Sequence, residues 1–211
     1  MLDICSVIPA SLAEDARRAG VLPDMRGWAV ADILLFAAES PHISTRVVEA
    51  TQRRTYGDSA MWTHAALYVG GGMLVESVAH APTMVILRGI DAHVPASAVV
   101  RMHDGRLTPE DRVAISAEAK GLLNVPYSFA RAAAIGAKTL FGHMRMPRSR
   151  KARLTRNTVI RGCVCSDVIE MAYNAAVGLS AAPDTRGFVP PAAFHRRSVL
   201  EKHEVSWCRL P

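Results

Sequence analysis

The stretch WTHAALYVGGGMLVESVAH constrains the fold most, because it sets two alternating runs around three consecutive glycines. Alternation at period two marks a strand with one buried face, and glycine supplies the left-handed backbone of a tight turn, so the stretch predicts a β-hairpin. In the first run Trp62, His64, Ala66 and Tyr68 share one face, and Thr63, Ala65, Leu67 and Val69 share the other. If Gly70, Gly71 and Gly72 form a three-residue loop, Val69 faces Met73 and Ala66 faces Glu76, which sets Glu76 diagonal to His64 on the same face. A two-residue loop would slip the register and turn that carboxylate to the opposite side.

Around the hairpin, WAVADILLFA and TMVILRGI are strand-length apolar runs, and SPHISTRVVEATQRRTYGDS reads as a loop and a short helix. LTPEDRVAISAEAKGLL is a helix with Thr108 as its cap and Pro109 at its first position. YSFARAAAIGAKTLFG is a second helix ending near Gly142, and RGCVCSDVIEMAYNAA holds a third, with Val168, Met171, Ala172 and Ala175 on one face. ASLAEDARRAGVLP predicts a short N-terminal helix, boxed by Ser11 and Glu14 and stopped by Gly20 and Pro23. Strands first and helices after indicate an α+β fold with an antiparallel sheet. A length of 211 residues suits a single domain over 1–211, with a helical extension over 1–26 and a basic insertion over 143–161.

Half the residues are apolar and 21% are charged, a globular composition far from the disordered classes. The net charge of +6 favours an anionic partner: nucleic acid, membrane phosphate or cell-wall polymer. Between Glu118 and Asp167 stand ten Lys or Arg residues and no acid, densest in RMPRSRKARLTR. That run reads either as a solvated loop or as an anion-contacting flap beside the site. The start, MLDICSVIPASLAED, lacks the basic region of a signal peptide, and no apolar run reaches the roughly 18 residues of a membrane span. The expectation is a soluble protein made in the cytoplasm without a signal peptide, with export by a signal-independent system left open.

The four cysteines, Cys5, Cys163, Cys165 and Cys208, are too few for a disulfide scaffold. Cys163 and Cys165 are separated by a single residue and no second Cys or His pair follows, which does not match a zinc site; HEVSW begins like a zincin motif but has Trp207 where the second histidine belongs. No metal or other cofactor is expected. No G-x-S-x-G elbow, Walker loop or dinucleotide G-x-G-x-x-G is present either. The functional alternative is a nucleophile: Cys165 stands where a helix begins, and the unsatisfied N–H groups there lower a thiol pKa and can receive an oxyanion. Cys163, outside the helix, lacks that setting. The bland alternative is that both are small buried hydrophobes. Of the eight histidines, His64 is best placed as a base, against the alternative of a core histidine bonded to backbone. Glu76 would orient it, with Ser77 or a backbone carbonyl as the next candidate.

Four pieces, taken together and in order, resemble the NlpC-type papain-like cysteine hydrolases in the branch whose fold is circularly permuted. ADILLF is similar to that family's G-D-I-[VL] strand, WTHAALYVGGGMLVES to its H-[VA]-[AG]-[IL]-Y-[VL]-G strand and following V-[IV]-E-[AS], NVPYS to its G-x-P-Y segment, and CSDVIEMAY to its C-S-[ED]-[FL]-[VI] helix. The proline-containing tail GFVPPAAFHRR also recurs in such proteins. The chain departs in having Ala31 where glycine is usual and in the long basic insertion before Cys165. The resemblance implies a permuted papain-like fold, antiparallel sheet first and nucleophile-bearing helix near the C-terminus. It further implies Cys165 as nucleophile, His64 as general base and Glu76 as third member, with Tyr127, Ser166 and Trp62 lining the substrate site. The implied activity is amide hydrolysis on a cell-wall or similar peptide. Alternatives are a lipid-directed acyltransferase, phospholipase or thioesterase, and a non-catalytic module binding lipid or peptide. The expected partner is an anionic substrate, cell-wall peptide or phospholipid, with peripheral membrane contact in the lipid case and no nucleic acid. An immunity or carrier protein would be added if the chain is a secreted toxin.

Overall fold

Gly70, Gly71 and Gly72 all adopt left-handed backbone, with φ of 93°, 61° and 74°. A side chain at such φ costs roughly 1–2 kcal/mol per residue, so only glycines close this turn without strain. Val69 N–H donates to Met73 at 2.9 Å and Met73 N–H to Gly70 at 3.0 Å, and Leu67 pairs with Val75 and Tyr68 with Leu74. This is the three-residue-loop register.

The computed structural model describes residues 20–38, 43–79, 84–93, 96–130 with 132, 163–182 and 189–209. Its elements are β1 (Val21–Pro23), β2 (Ile33–Ala38), α1 (Ile43–Tyr56), β3 (His64–Tyr68), β4 (Met73–Ser77), β5 (Val85–Gly89), β6 (Ala96–Asp104), α2 (Pro109–Lys120), α3 (Cys165–Val177), α4 (Pro191–His195), β7 (Leu200–Glu204) and β8 (Trp207–Arg209). Short 3-10 turns cover Gly57–Met61 and Ile90–His93. The expected helix before Gly20, the body of the helix expected to end near Gly142, and the 143–161 basic segment lie outside the described residues.

One antiparallel sheet runs β5-β4-β3-β2-β6-β7, and β1 pairs with β8 in a separate ribbon. The class is α+β, but not all strands precede the helices, since β7 and β8 follow α4. Both escape the apolar pattern: β7 is LEKHE, an edge strand on β6 in which only Leu200 is buried. At the N-terminal side, Val21–Pro23 is a strand and not the end of a helical extension, because Leu22 pairs with Cys208 across the ribbon. The short helix expected after β2 is α1, fourteen residues long.

Alternation splits the sheet between two cores. Ile33, Leu35, Ala65, Leu67, Val75, Val100 and Met102 pack with Ile115 of α2 and with Val168, Ile169 and Ala172 of α3. On the other face Leu34, Phe36, Ala66, Tyr68 and Leu74 pack with Ile90, Val99 and with Trp28, Val205 and Trp207 near the β1–β8 ribbon. α2 begins as its sequence dictates, with Thr108 Oγ1 accepting from Asp111 N–H at 3.2 Å, the Asp111 carboxylate accepting from Thr108 N–H at 3.0 Å, and Pro109 at the first turn. α3 is not amphipathic in the expected way: Ser166 through Tyr173 are buried without interruption and Ala175 is exposed. The helix is enclosed over its first two turns because it inserts between the sheet and α2.

Asp32, fully buried, locks this arrangement. Its carboxylate accepts from Arg101 at 2.7 Å, from Arg112 at 3.2 Å and from Ala29 N–H at 2.9 Å, and it lies 2.8 Å from His103 Nδ1. Arg112 also donates to the carbonyls of Val30 and Asp104. One carboxylate thus joins the entry of β2 to β6 and α2, while Tyr173 of α3 donates to the Ala31 carbonyl at 3.1 Å. Removing it strands two largely buried guanidinium groups. Asp32→Ala is expected to lower unfolding stability by about 3–5 kcal/mol in urea titrations; a loss below about 1 kcal/mol would show that water can replace the carboxylate.

Candidate active site

His64 opens β3 and Glu76 sits near the end of β4. Pairing between these strands is confined to Leu67↔Val75 and Tyr68↔Leu74, so past Leu67 side chains take over from the ladder. His64 Nε2 lies 2.5 Å from Glu76 Oε2. At the same end Ser77 Oγ donates to the Cys163 carbonyl at 3.1 Å, and Cys163 N–H donates to Pro126 at 3.0 Å. These bonds hold the segment that leads into α3. Its first residue, Cys165, is coupled electrostatically to the His64 ring, whose Nε2 is taken by Glu76.

The start of α3 is capped within the chain: Val164 N–H donates to Asp167 Oδ2 at 3.1 Å. Cys165 occupies the first helical position, where amides have no carbonyl partner within the helix and the backbone dipole is positive. Cys163 is buried in the core beside Val168 and Ile169, whereas Cys165 is partly exposed. The two sulfurs therefore occupy different environments two residues apart.

Glu76 has no solvent exposure. Burial alone would raise its pKa, but the positive ring of His64, and after it His93, outweigh burial and hold the carboxyl well below its usual range. For His64 burial opposes the charge, while Glu76 first and Cys165 next favour it, and the balance raises the ring from 6.5 to about 10. At neutral pH the site holds an imidazolium against a carboxylate, with Cys165 coupled to the same ring.

His93, which the sequence did not single out, joins this group. Its Nε2 lies 2.9 Å from Glu76 Oε2, and its ring stacks on Phe36 with centroids 4.1 Å apart and on His64 at 5.5 Å. Arg88 NH1 approaches Glu76 Oε1 at 3.6 Å. No motif or strand period marks His93, because the 3-10 turn after β5 brings it back, with Ile90 N–H bonded to the Gly72 carbonyl. Arg88 has a visible signal in retrospect, since β5 sets it opposite Leu74 beside Glu76.

The three expected lining residues separate. Tyr127 bridges to Cys163, and burial, then the nearby Cys165, push its phenol well above the ordinary value; it stands beside the thiol, with Phe129 edge-on at 5.0 Å. Ser166 is only 1% exposed and its Oγ has no hydrogen-bond partner among the described residues. Trp62 does not share the His64 face. It precedes β3, its N–H closes the 3-10 turn on Ser59, and it packs with Ala65 and Leu67 in the helix-side core and against His195 at 5.4 Å.

No protein-family model matches the chain, and neither does any curated protein. Among solved structures it is similar to the metalloprotein yiiX from Escherichia coli O157:H7, a DUF1105 protein, with a TM-score of 0.54 and 15% identity over 83% of this chain and 96% of that one. At that identity the likeness is one of fold.

The raised pKa of His64 has a definite sign in stability. A ring that binds its proton more tightly when folded contributes fully below about pH 6.5 and loses that contribution as pH rises through about 10. The unfolding free-energy difference between wild type and Glu76→Gln is therefore expected to be largest near pH 6 and to shrink towards pH 10 in urea titrations. A difference independent of pH would show that the ring is not held charged by this carboxylate.

Proposed function

We propose that the protein is a cysteine hydrolase of permuted papain-like architecture that cleaves an amide bond in a cell-wall or similar peptide through Cys165, His64 and Glu76. The observation that carries this reading is one imidazole bonded to a fully buried carboxylate and coupled to a thiol at a helix N-terminus. The chain order supports the permuted branch, since base and carboxylate precede the nucleophile. Ala31 supports it too: it takes φ of 68° at the position where that family carries glycine, the residue for which such a conformation is unstrained.

The reaction follows from the charges. Cys165 sulfur, having yielded its proton to His64, attacks the carbonyl carbon and the carbonyl oxygen becomes an oxyanion. Backbone N–H groups at the start of α3 receive that oxyanion, which costs them no reorganisation because the helix already aims them outward. The imidazolium passes its proton to the leaving amine as the C–N bond breaks. Neutral His64 then takes a proton from water, whose oxygen attacks the thioester, and collapse returns the thiolate and the acid. Glu76 keeps the ring in one orientation and stabilises its charged form throughout.

The net charge of +6 suits an anionic polymer carrying the scissile amide. A second reading, hydrolysis or transfer of a lipid acyl group, draws on Phe129, which is 59% exposed beside Tyr127 and presents apolar surface near the thiol. Release of free amine from peptidoglycan supports the first reading, and release of fatty acid from phospholipid vesicles the second.

Alkylation of the full chain with iodoacetamide at about pH 6 is expected to modify one fast-reacting thiol, lost in Cys165→Ser and kept in Cys163→Ser. Fast labelling that vanishes with Cys163 would reverse the assignment. Glu76→Gln is expected to cut turnover roughly a hundredfold or more with circular dichroism unchanged, because its amide can favour the wrong ring tautomer. Near-normal turnover would remove Glu76 from the mechanism.

A further inference from the structure

The thiol chemistry uses Cys165, His64 and one oxygen of Glu76, and leaves part of the same cluster unexplained. Glu76 Oε1 and His93 Nε2 are both buried, and neither makes a hydrogen bond among the described residues; Arg88 NH1 stands 3.6 Å from Oε1. The 2.9 Å approach of His93 to Glu76 Oε2 thus lacks hydrogen-bond alignment. Buried polar atoms without partners are costly, by roughly 1–3 kcal/mol each, and call for an occupant or a function. His64, Glu76 and His93 each offer one ligand atom, and these atoms lie within 4.8 Å of one another.

We propose that His64, Glu76 and His93 bind a divalent transition-metal ion of the zinc type, and that the ion reversibly silences Cys165 by occupying His64 Nε2. The proposal rests on the reading of Cys165 and His64 as the reacting pair. Two imidazole nitrogens and one carboxylate oxygen form a donor set that suits zinc or cobalt and is too nitrogen-rich for magnesium or calcium. Ligand bonds of about 2.0–2.2 Å require the donor atoms to stand roughly 3 Å apart or more, so the 2.5 Å contact between His64 and Glu76 must open slightly. Oε1, which makes no hydrogen bond among the described residues and has Arg88 NH1 at 3.6 Å, lets the carboxylate turn to present it as the Arg88 side chain, 30% exposed, moves aside.

The chemical consequence lies on the other side of the ring. An imidazole coordinated through Nε2 is neutral and keeps its proton on Nδ1. It can no longer accept the thiol proton there, nor act as the imidazolium that protonates a leaving group. The ion replaces the proton that His64 and Glu76 share, and the sulfur stays protonated. Cys165 is not among the three donors, so the site takes the ion without consuming the thiol.

The full chain, stripped with chelator and dialysed, is titrated with Co2+ while visible absorption is followed, and with Zn2+ by calorimetry. Wild type is expected to bind one equivalent with the intense visible bands of low-coordinate cobalt, and Cys165→Ser to bind equally well without change in those bands. His93→Ala and His93→Gln, each checked for folding by circular dichroism, are expected to lose at least roughly tenfold in affinity. Zn2+ is expected to slow iodoacetamide labelling of Cys165 at least roughly tenfold in wild type and to leave the His93 variants unaffected. Unchanged affinity in folded His93 variants, loss of binding in Cys165→Ser, or faster labelling with Zn2+ would each overturn the proposal. If Cys165→Ser instead retains hydrolytic turnover, the hydrolase reading fails while the cobalt titration still reports whether the three ligands hold metal.

Discussion

A negative charge held where water cannot reach is the constraint on which the site depends. Glu76 is enclosed between β3, β5 and the turn that carries His93, and it stays ionised because one imidazolium touches it, a second imidazole lies beside it and a guanidinium stands near. In a low-dielectric setting such a charge orients whatever answers it. The ring of His64 is fixed by that attraction more than by the strand, whose ladder to β4 has already ended. With the ring fixed, the position of the thiol becomes a question of where α3 begins.

A second buried carboxylate sets that beginning at long range. Asp32 gathers Arg101, His103 and Arg112 around the entry of β2, and the neighbouring Ala31 carbonyl receives the hydroxyl of Tyr173 from α3. The helix is therefore pinned by its third turn to the far corner of the sheet and by the Cys163 carbonyl to Ser77 at the near one. Its enclosure over Ser166–Tyr173 leaves it little freedom to slide or rotate. Glu170 completes the hold, accepting from Ser180 at 2.6 Å and from Ala182 N–H at 2.7 Å beyond the left-handed Gly178. The two carboxylates thus divide the labour: one joins helix, sheet and strand entry, and the other organises the group that faces the sulfur.

The arrangement makes the imidazole a shared resource. Of its two nitrogens the second, Nε2, meets a buried anion, and the same ring is coupled to the sulfur, so anything that competes for the second nitrogen changes what the ring can do for the thiol. His93 lies at that second nitrogen's side and stacks on the same aromatic ring, Phe36, that also approaches His64 at 5.9 Å.

Local rules were legible wherever backbone chemistry decides alone. The three glycines marked the turn and left two loop lengths, and the three-residue one that forms sets the register that brings Glu76 to His64; likewise Thr108 and Pro109 specified where α2 starts, and the position of Cys165 at a helix start followed from its neighbours. Legibility failed where burial overrides pattern. The interior strand β6 was unreadable because VVRMHD carries Arg101 and His103, which answer Asp32 some seventy residues away, and Asp104, which is held by Arg106 two residues on. β7 and β8 pair at edges and need no apolar period. Trp62 left its expected face because strand alternation begins only at His64, and Ser166 and Ala175 exchanged their expected exposure because enclosure of α3 depends on what surrounds it. The sequence by itself determined the hairpin, the helix cap and the residue types capable of acyl-transfer chemistry, since those depend on φ, hydrogen bonding and alternation within a few residues. Only the tertiary structure decided that His93 and Arg88 attend the same carboxylate, that Asp32 locks the helix, and which nitrogen of His64 meets Glu76, because each depends on electrostatics between groups that the chain brings together only by folding.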